Sequence, residues 1–315
     1  MSNTPSAGDV VAAAERIAPH VHRTPVFTSR TLDELLGAAV FFKCENLQKT
    51  GAFKFRGACN AVLSLTDEQA RAGVATHSSG NHGAALACAA SLRGIPVRVV
   101  MPETANPAKI RAVTHYRGGV LPCAPTLAAR EKSLAAYVEE SGATVVHPFN
   151  DAQVIAGQGT AAREFFEQVA DLDLLLTPVG GGGLISGTAL VAKDQDRGVR
   201  VVGVEPAGAD DAQRSLRSGE RVANTAPDTI ADGLHASLGP LTFAIIEQSV
   251  DDIVTVNDAD TVHAMRWFWE RLKLVIEPSA AVAVAALMQG KVDVSGRRVG
   301  VILSGGNADL DALPW

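Results

Sequence analysis

Short apolar runs alternate with longer amphipathic stretches along most of the chain from about residue 70 onward. The runs at 97–101, 174–179 and 298–303 are rich in Val, Leu and Ile, and the first two are followed by turn residues and then by a stretch with helical periodicity. Strands that are apolar over nearly their whole length are typical of parallel sheets with helices on both faces. The alternation of strand and helix therefore predicts an α/β fold.

The same pattern predicts the individual elements and their division into domains. Strands are expected at 73–77, 97–101, 120–122, 144–147, 174–179, 199–204 and 298–303, and helices at 82–93, 107–117, 126–141, 152–170, from about 184, and at 280–288. We expect two parallel-sheet domains, a larger one formed by 1–64 and 149–315, and a smaller one, 65–148, inserted in it. Ligands of such folds bind at the carboxyl ends of the strands, so motifs found there carry most weight.

Composition and charge narrow the class of protein. The 315 residues are enough for one large or two smaller domains, and the apolar share of 47% is that of an ordinary globular protein. The net charge of −6 and the lack of a Lys/Arg cluster argue against nucleic acid or a membrane as a partner. No apolar run reaches transmembrane length and the N-terminus lacks signal-peptide features, so we expect a cytoplasmic protein.

The cysteines indicate a reducing compartment. Cys44, Cys59, Cys88 and Cys123 form no CxxC pair, and none has a histidine at metal-ligand spacing. In a chain of this length such cysteines are expected to be buried thiols and not a disulfide framework.

A lysine between two phenylalanines is the most informative local feature. Lys54 lies between Phe53 and Phe55, and Gly51 and Gly57 flank the group. An apolar environment lowers the pKa of an amine, and a neutral amine can attack a carbonyl and hold it as a Schiff base. The alternative is a lysine on an amphipathic helix, whose stem packs on apolar surface while its amine reaches water.

Four consecutive glycines, at 180–183, follow a predicted strand and open a predicted helix. Their backbone N–H groups can turn toward an anion, and the helix N-terminus adds a favourable field, so the loop is suited to bind a phosphate. The spacing matches neither the dinucleotide motif GxGxxG nor a P-loop. The alternative is a flexible turn, although four glycines in a row cost considerable backbone entropy.

Two further loops follow predicted strands and carry polar side chains. The loop 78–83 offers hydroxyls, an amide and backbone donors at a helix start, which can hold a carboxylate or contact one face of a flat ligand. Ser304 stands before two glycines at the end of the strand 298–303, where its hydroxyl can face a cleft. The alternatives are an ordinary capped helix and an ordinary turn.

An acidic loop follows the strand 199–204. Glu205 and Asp211 supply two carboxylates within a short stretch, and the backbone between them supplies a carbonyl. Oxygen ligands of this kind suit Mg²⁺ or Ca²⁺. The alternative is a solvated acidic loop.

Taken together, these motifs resemble those of the fold type II pyridoxal-phosphate enzymes, the class with the tryptophan synthase β fold. They are most similar to the serine racemase and serine/threonine dehydratase family, which includes hydroxyaspartate dehydratases. The similarity runs through nearly the whole chain and in one order. It includes 22–25, 43–46, 48–57, 78–83, 154–160, 180–183, 231–233 and 304–307.

The resemblance implies a role for each candidate position. The implied cofactor is pyridoxal 5′-phosphate, with Lys54 as its attachment point and Phe53 packed against its ring. Asn81 would meet the ring hydroxyl oxygen, and Ser304 would face the pyridine nitrogen. The phosphate would be bound by Gly180, Gly181, Gly182 and Gly183. For the substrate it implies Ser78, Ser79, Gly80, Asn81 and His82, with Ser79 as the acid/base on the face opposite Lys54. For Mg²⁺, or Ca²⁺ or Mn²⁺ in its place, it implies Glu205, the carbonyl of Ala209, and Asp211.

The implied chemistry is elimination from a β-hydroxy amino acid. The cofactor serves as the electron sink and Lys54 takes the α-proton. A serine at the pyridine nitrogen cannot supply an anionic counter-charge as an aspartate would, so the sink is weak and loss of the β-hydroxyl is favoured. The products are a 2-oxo acid and ammonia. Return of the proton from Ser79 on the other face would instead give racemisation.

Three substrates fit this chemistry: 3-hydroxyaspartate, L-serine and L-threonine. Arg130 starts a predicted helix, and a guanidinium in the cleft would clamp a second carboxylate, although most such arginines face solvent. His235 follows the 231–233 motif and adds a second donor, so we favour hydroxyaspartate. The alternatives are a serine racemase and a non-catalytic ligand-binding protein. The resemblance also implies a homodimer.

Overall fold

Ten strands form two sheets in the residues that the computed structural model describes, namely 4–78, 80–195 and 197–315. They are β1 Val26–Thr28, β2 Ala39–Cys44, β3 Val74–His77, β4 Val97–Pro102, β5 Gly119–Cys123, β6 Thr144–Val145, β7 Leu174–Pro178, β8 Arg200–Pro206, β9 Asp252–Val256 and β10 Arg298–Leu303. The larger sheet has the order β1-β2-β10-β7-β8-β9, and the smaller sheet has the order β5-β4-β3-β6. The predicted α/β class with two mainly parallel sheets is confirmed.

The helices follow the strands as the sequence pattern predicts. They are α1 Ala7–Ile17, α2 Arg30–Leu36, α3 Lys54–Leu63, α4 Asp67–Ala72, α5 Asn81–Arg93, α6 Pro107–His115, α7 Leu127–Ser141, α8 Ala152–Gln168, α9 Gly183–Lys193, α10 Asp211–Ser218, α11 Pro240–Ser249, α12 Asp258–Leu272 and α13 Pro278–Met288. Side-chain caps set several of their starts; Thr126 accepts from the N–H of Ala129, for example, and Asp151 from that of Val154. Among the described residues, no helix combines the length and apolar character needed to cross a bilayer.

One edge of the larger sheet differs from the expectation of purely parallel strands. β1 pairs antiparallel with β2, with Val26 opposite Lys43, whereas β10 pairs parallel with both β2 and β7. The sequence pattern predicted none of β1, β2 and β9. β1 has only three residues, and β9 is a five-residue edge strand that is only partly buried, so neither gives a long apolar run.

The four strands of the smaller sheet all come from one segment of the chain, 74–145, and pair in parallel. The strands of the larger sheet lie before and after this segment. This arrangement agrees with a smaller unit inserted in a larger one. The boundaries at 64/65 and 148/149 stay a prediction.

The core of the larger sheet is built around α13. From Ser279 to Leu287 every residue of this helix is buried, and it packs with strands β7, β8 and β10. A helix that is apolar all round is expected to be enclosed on all sides, which agrees with the prediction from the run 280–288. Its N-cap residue, Glu277, lies at the carboxyl end of β10, beside the candidate site.

A buried ionic network fixes the start of α3. The guanidinium of Arg56 donates to Glu45 at 2.7 and 2.8 Å and to Glu164 at 2.9 Å, and Lys43 Nζ donates to Glu164 at 2.8 Å. The side chains of Arg56, Glu45 and Lys43 are 0% exposed. Removing one partner of such a network leaves an uncompensated buried charge, which costs about 3–5 kcal/mol. The network therefore holds α3, whose first residue is Lys54, against β2 and α8.

Candidate active site

Lys54 lies at the first position of α3 with its amine in a partly buried setting. Lys54 Nζ donates to the carbonyl of Pro148 at 2.9 Å and lies 5.1 Å from the centroid of the Phe53 ring. Burial lowers the pKa of Lys54 to about 8, against the opposing effect of the negative charge of Glu277. Near pH 8 about half of this amine is therefore neutral and able to act as a nucleophile or a base.

The segment before α3 is joined to the end of β10. The N–H of Phe53 donates to the carbonyl of Ser304 at 2.9 Å, and Ala52 forms an antiparallel bridge with Gly305. Ser304 itself is buried. Three predicted cofactor residues, Phe53, Lys54 and Ser304, are thus brought together at the carboxyl end of the sheet, where α/β folds bind ligands.

The glycine loop lies between β7 and α9. Gly183 begins α9, and Gly182 is its N-cap with a φ of +86°, a left-handed conformation that favours glycine. In the described ranges, no loop or turn hydrogen bond uses the N–H groups of 180–183 as donors. A set of backbone donors without acceptors at a helix N-terminus fits the phosphate of the predicted cofactor.

Packing around this loop leaves no room for side chains. A Cβ at Gly181 would overlap the ring of Phe149, and a Cβ at Gly180 would lie 2.9 Å from the Cα of Leu234. Thr242 Oγ1 donates to the carbonyl of Gly181 at 2.9 Å and so fixes the loop from the other side. Close packing therefore requires glycines in this loop, independently of any role in anion binding.

The loop 78–83 connects β3 to α5. Ser78 Oγ accepts from the N–H groups of Gly80 and Gly83, both at 3.3 Å. A Cβ at Gly80 would meet no protein atom within 4 Å. Ser79, the predicted acid/base, lies outside the described residues.

His82 is buried, and its ring is fixed from one side. Its Nε2 lies 3.1 Å from the carbonyl of Val146, so Nε2 carries the proton and Nδ1 is an acceptor. Burial lowers the pKa of His82 to about 3, and the positive charge of Lys54 is the second largest cause of this decrease. The ring is therefore neutral, and Nδ1, which is buried and has no partner within the described ranges, can accept but not donate a hydrogen bond.

Glu277 is a site residue that sequence reasoning missed. Its carboxylate accepts from Asn81 Nδ2 at 2.8 Å, and a Cβ at Gly305 would lie 2.5 Å from Glu277 Oε1. Burial raises the pKa of Glu277 to about 7, although the hydrogen bond from Asn81 opposes this shift. The only available signal was a glutamate before proline, which is ordinary for a helix start.

A group of basic side chains lies on the side of the smaller sheet. Arg130 Nε is buried without a hydrogen-bond partner among the described residues. Burial and the charge of Arg130 lower the pKa of His77, whose ring lies 6.1 Å from that of His147. His147 is followed by Pro148, whose carbonyl accepts from Lys54. A guanidinium with a buried N–H that lacks a partner suits an anionic group of a ligand.

His235 is placed differently from the expectation that it would assist Arg130. It is exposed, its Nε2 lies 3.0 Å from the carbonyl of Thr229, and no hydrogen bond or aromatic contact joins it to Arg130 in the described parts of the chain. Its role in substrate binding stays a prediction.

The acidic loop brings Glu205 and Asp211 into the protein interior. Glu205 accepts from the N–H groups of Ala212 at 3.1 Å and Gln213 at 2.9 Å, and both carboxylate oxygens of Asp211 are buried with no side-chain partner among the described residues. Burial raises the pKa of Glu205 to about 8 and that of Asp211 to about 6. Ala209 lies between them and is also buried.

The same loop provides few ligands of the usual metal-binding types. In 4–78, 80–195 and 197–315, no three His, Cys, Asp or Glu side chains are grouped so as to hold a metal ion. Two buried carboxylates with an adjacent carbonyl nevertheless fit a hard divalent cation completed by water.

Comparisons with protein families, individual proteins and solved structures each find similarity over nearly the whole chain. A family model described as "pyridoxal-phosphate dependent enzyme" matches residues 17–305. The chain is 51% identical to a β-hydroxyaspartate dehydratase of Paracoccus denitrificans over 99% of each chain, and 48% identical to a serine racemase of Dictyostelium discoideum over 97% of this chain and 95% of that one. The structure of maize serine racemase superposes with a TM-score of 0.96 at 43% identity, covering 98% of this chain and 95% of that one.

The charge of Glu277 gives a testable prediction for Lys54. Glu277→Gln removes a negative charge that stabilises the ammonium form, so the pKa of Lys54 should fall below about 8. Because only the neutral amine captures an aldehyde, the pH midpoint for the rate of pyridoxal 5′-phosphate uptake by the apoprotein should move to lower pH. Stopped-flow absorbance between pH 6 and 9.5 measures this midpoint.

The exposed glutamate Glu34, which pairs with Arg30 on α2, offers the matched control. Glu34→Gln should leave the midpoint at the wild-type value. An unchanged midpoint in Glu277→Gln would show that this carboxylate does not act on Lys54.

Proposed function

Because the chain belongs to the family of pyridoxal-phosphate dependent enzymes, we propose that it is an ammonia-lyase that dehydrates a β-hydroxy amino acid, with 3-hydroxyaspartate preferred to L-serine and L-threonine. The observation that carries the choice of substrate is Arg130, a half-buried residue whose Nε is buried and has no hydrogen-bond partner among the described residues. Two features support the lyase activity itself: the amine of Lys54 at the carboxyl end of the larger sheet, and the glycine loop with its available N–H groups.

The described residues fit the cofactor. Lys54 would carry it covalently, Phe53 would pack against its ring, Ser304 would face the pyridine nitrogen, Asn81 would meet the ring oxygen, and Gly180 to Gly183 would bind the phosphate. When bound, pyridoxal phosphate supplies an electron sink that acidifies the α-carbon of an amino acid.

Proton transfer is the task of Lys54. Its neutral Nζ would take the α-proton of the bound amino acid, and a pKa of about 8 keeps this group close to the pH at which a base works best. The carbonyl of Pro148, 2.9 Å from Nζ, orients the amine when it is free. Ser79 is proposed as the acid/base on the opposite face.

Loss of the β-hydroxyl follows loss of the α-proton. The electron pair left at the α-carbon forms a double bond to the β-carbon, and the hydroxyl leaves with a proton as water. The resulting enamine tautomerises and is hydrolysed, which yields a 2-oxo acid and ammonia. With 3-hydroxyaspartate the product is a 2-oxo diacid.

Arg130 would bind the β-carboxylate of such a substrate. A charge-assisted hydrogen bond contributes about 1.5–3 kcal/mol, and a buried N–H without a partner, such as Nε of Arg130, is costly until an acceptor arrives. His147, whose pKa is lowered to about 4 mainly by burial, is neutral and does not compete for the carboxylate as a cation. Serine and threonine lack the group that this arginine would bind.

Serine racemase activity is the second candidate. It is supported by the identity of 48% to a protein of that name and by the shared loss of the α-proton. Elimination and racemisation differ only in whether the hydroxyl leaves before a proton returns, so both activities can occur in one enzyme.

Arg130→Gln tests the carboxylate clamp. We expect kcat/KM for 3-hydroxyaspartate to fall about 10- to 100-fold, because a charged hydrogen bond is lost, while kcat/KM for L-serine changes less than about threefold. The measurement is ammonia release from the three substrates, with chiral analysis of the remaining amino acid.

The control is Lys132→Gln, which removes a positive charge from an exposed position of the same helix. It should leave both values unchanged. Equal losses for hydroxyaspartate and serine in Arg130→Gln would contradict the clamp, and a racemisation rate above the elimination rate would favour the second candidate.

We also propose that Glu205, Asp211 and the carbonyl of Ala209 bind Mg²⁺, with Ca²⁺ or Mn²⁺ as alternatives. The support is the burial of both Asp211 oxygens, which have no side-chain partner in the part of the chain that the structure describes. A cation would offset the repulsion between the two carboxylates and stabilise the folded state by mass action, by about 2.7 kcal/mol at a concentration 100 times its Kd.

Removal of the cation is the corresponding prediction. A chelator should lower the melting temperature of the protein, and excess Mg²⁺ should restore it. Asp211→Asn should abolish this response, whereas Asp210→Asn, which alters an exposed carboxylate paired with Arg214, should keep it. If the chelator leaves the melting temperature unchanged, these residues are not metal ligands.

We also propose a cytoplasmic location and a homodimer. The four cysteines are buried free thiols, which agrees with a reducing, cytoplasmic location. The family resemblance implies a homodimer, which sedimentation of the purified protein measures.

A further inference from the structure

A chain of hydrogen bonds connects the two sheets at the candidate site. Asn307 Nδ2 donates to the carbonyl of Thr50 at 2.8 Å and to Asn81 Oδ1 at 2.8 Å. Asn81 Nδ2 in turn donates to Glu277 Oε1 at 2.8 Å. Asn81 begins α5, which packs with the smaller sheet, while the other three residues belong to segments around the larger sheet.

The direction of these bonds is fixed at one end. A backbone carbonyl can only accept, so the Asn307 atom that faces Thr50 must be the amide nitrogen. That nitrogen can only donate, so the Asn81 atom that faces it must be the amide oxygen. The amide nitrogen of Asn81 is therefore turned toward Glu277.

This orientation leaves Asn81 with one N–H to spare. An amide nitrogen has two N–H groups, and in the described residues Asn81 Nδ2 donates only to Glu277. If the side-chain amide were rotated by 180°, its oxygen would face the Glu277 carboxyl and its nitrogen would face the nitrogen of Asn307. The contact between the two amide nitrogens would be repulsive, and so would the contact between the amide oxygen and the ionised Glu277 carboxylate.

We infer that Asn307 is a positioning residue, which fixes the Asn81 amide so that an N–H and not an oxygen is available to the ring hydroxyl oxygen of the cofactor. The inference rests on the proposed role of Asn81 in cofactor binding. Asn307 acts through Asn81, since its own nitrogen is occupied by Thr50 and Asn81.

The consequence is a difference in the bound cofactor that absorbance can detect. A hydrogen bond to the ionised ring oxygen stabilises that form, which absorbs at longer wavelength than the protonated form. If Asn307 only supported the loop 304–307, its substitution would affect folding. The ratio of ionised to protonated ring oxygen would then not depend on whether the new side chain is polar.

Asn307→Asp and Asn307→Ala test the inference together. Aspartate keeps the size but presents an acceptor, so the Asn81 amide must rotate; alanine removes the constraint without imposing rotation. With pyridoxal 5′-phosphate bound and no substrate, the ratio of long- to short-wavelength absorbance should fall about tenfold in Asn307→Asp and less in Asn307→Ala. In turnover, kcat should fall by more than KM rises.

Asn106→Asp is the matched control. Asn106 Nδ2 also donates from the smaller-sheet segment to the C-terminal segment, where Asp309 accepts at 2.8 Å. An aspartate at position 106 would still cap α6. Its absorbance ratio should equal that of the wild type. If Asn307→Asp does not fold, as judged by the melting of its apoprotein, Asn307→Ala alone must still lower the ratio relative to Asn106→Asp.

Equal ratios in the wild type and the Asn307 variants, or a larger effect of alanine than of aspartate, would overturn the inference. The spectra need no substrate, so this result is independent of the proposed reaction. An enzyme that binds the cofactor but releases no ammonia from any hydroxy amino acid would refute the proposed function, while the absorbance ratios would still decide the role of Asn307.

Discussion

The site depends on keeping an amine partly out of water beside the end of the central strand β10. Two backbone contacts, from Phe53 to Ser304 and from Ala52 to Gly305, attach the segment before α3 to this strand. The buried network around Arg56 holds the first turns of the same helix. Lys54 is thereby kept in a setting that lowers its pKa to about 8, without which neither covalent attachment of a cofactor nor proton abstraction would be efficient.

Much of the fold could be predicted because its central strands are apolar and its helices are regular. The predicted strand 298–303 coincides with β10, and the apolar run 280–288 lies within α13. The strands β1 and β9 could not be predicted, since a short edge strand with polar positions has no distinctive pattern. The antiparallel pairing of β1 depends on tertiary contacts, which the sequence does not display.

For the candidate site, the sequence could indicate residues whose chemistry is local in sequence. Lys54 with its phenylalanines, and the four glycines before α9, are each contained in one short stretch, and a family resemblance supplied their roles. Glu277 and His147 were missed because they act through partners distant in sequence: Glu277 meets Asn81 across 196 positions. The orientation that Asn307 gives to Asn81 is likewise a property of the folded chain alone.

The central claim is that Lys54 carries pyridoxal 5′-phosphate, and borohydride reduction of the protein incubated with this cofactor tests it most directly. Reduction makes a Schiff base permanent, so peptide mass spectrometry can locate it. The account predicts a single modified peptide with the added mass of the reduced cofactor on Lys54, and none in Lys54→Ala. Modification of another lysine with Lys54 unmodified, or no modification at all, would contradict it.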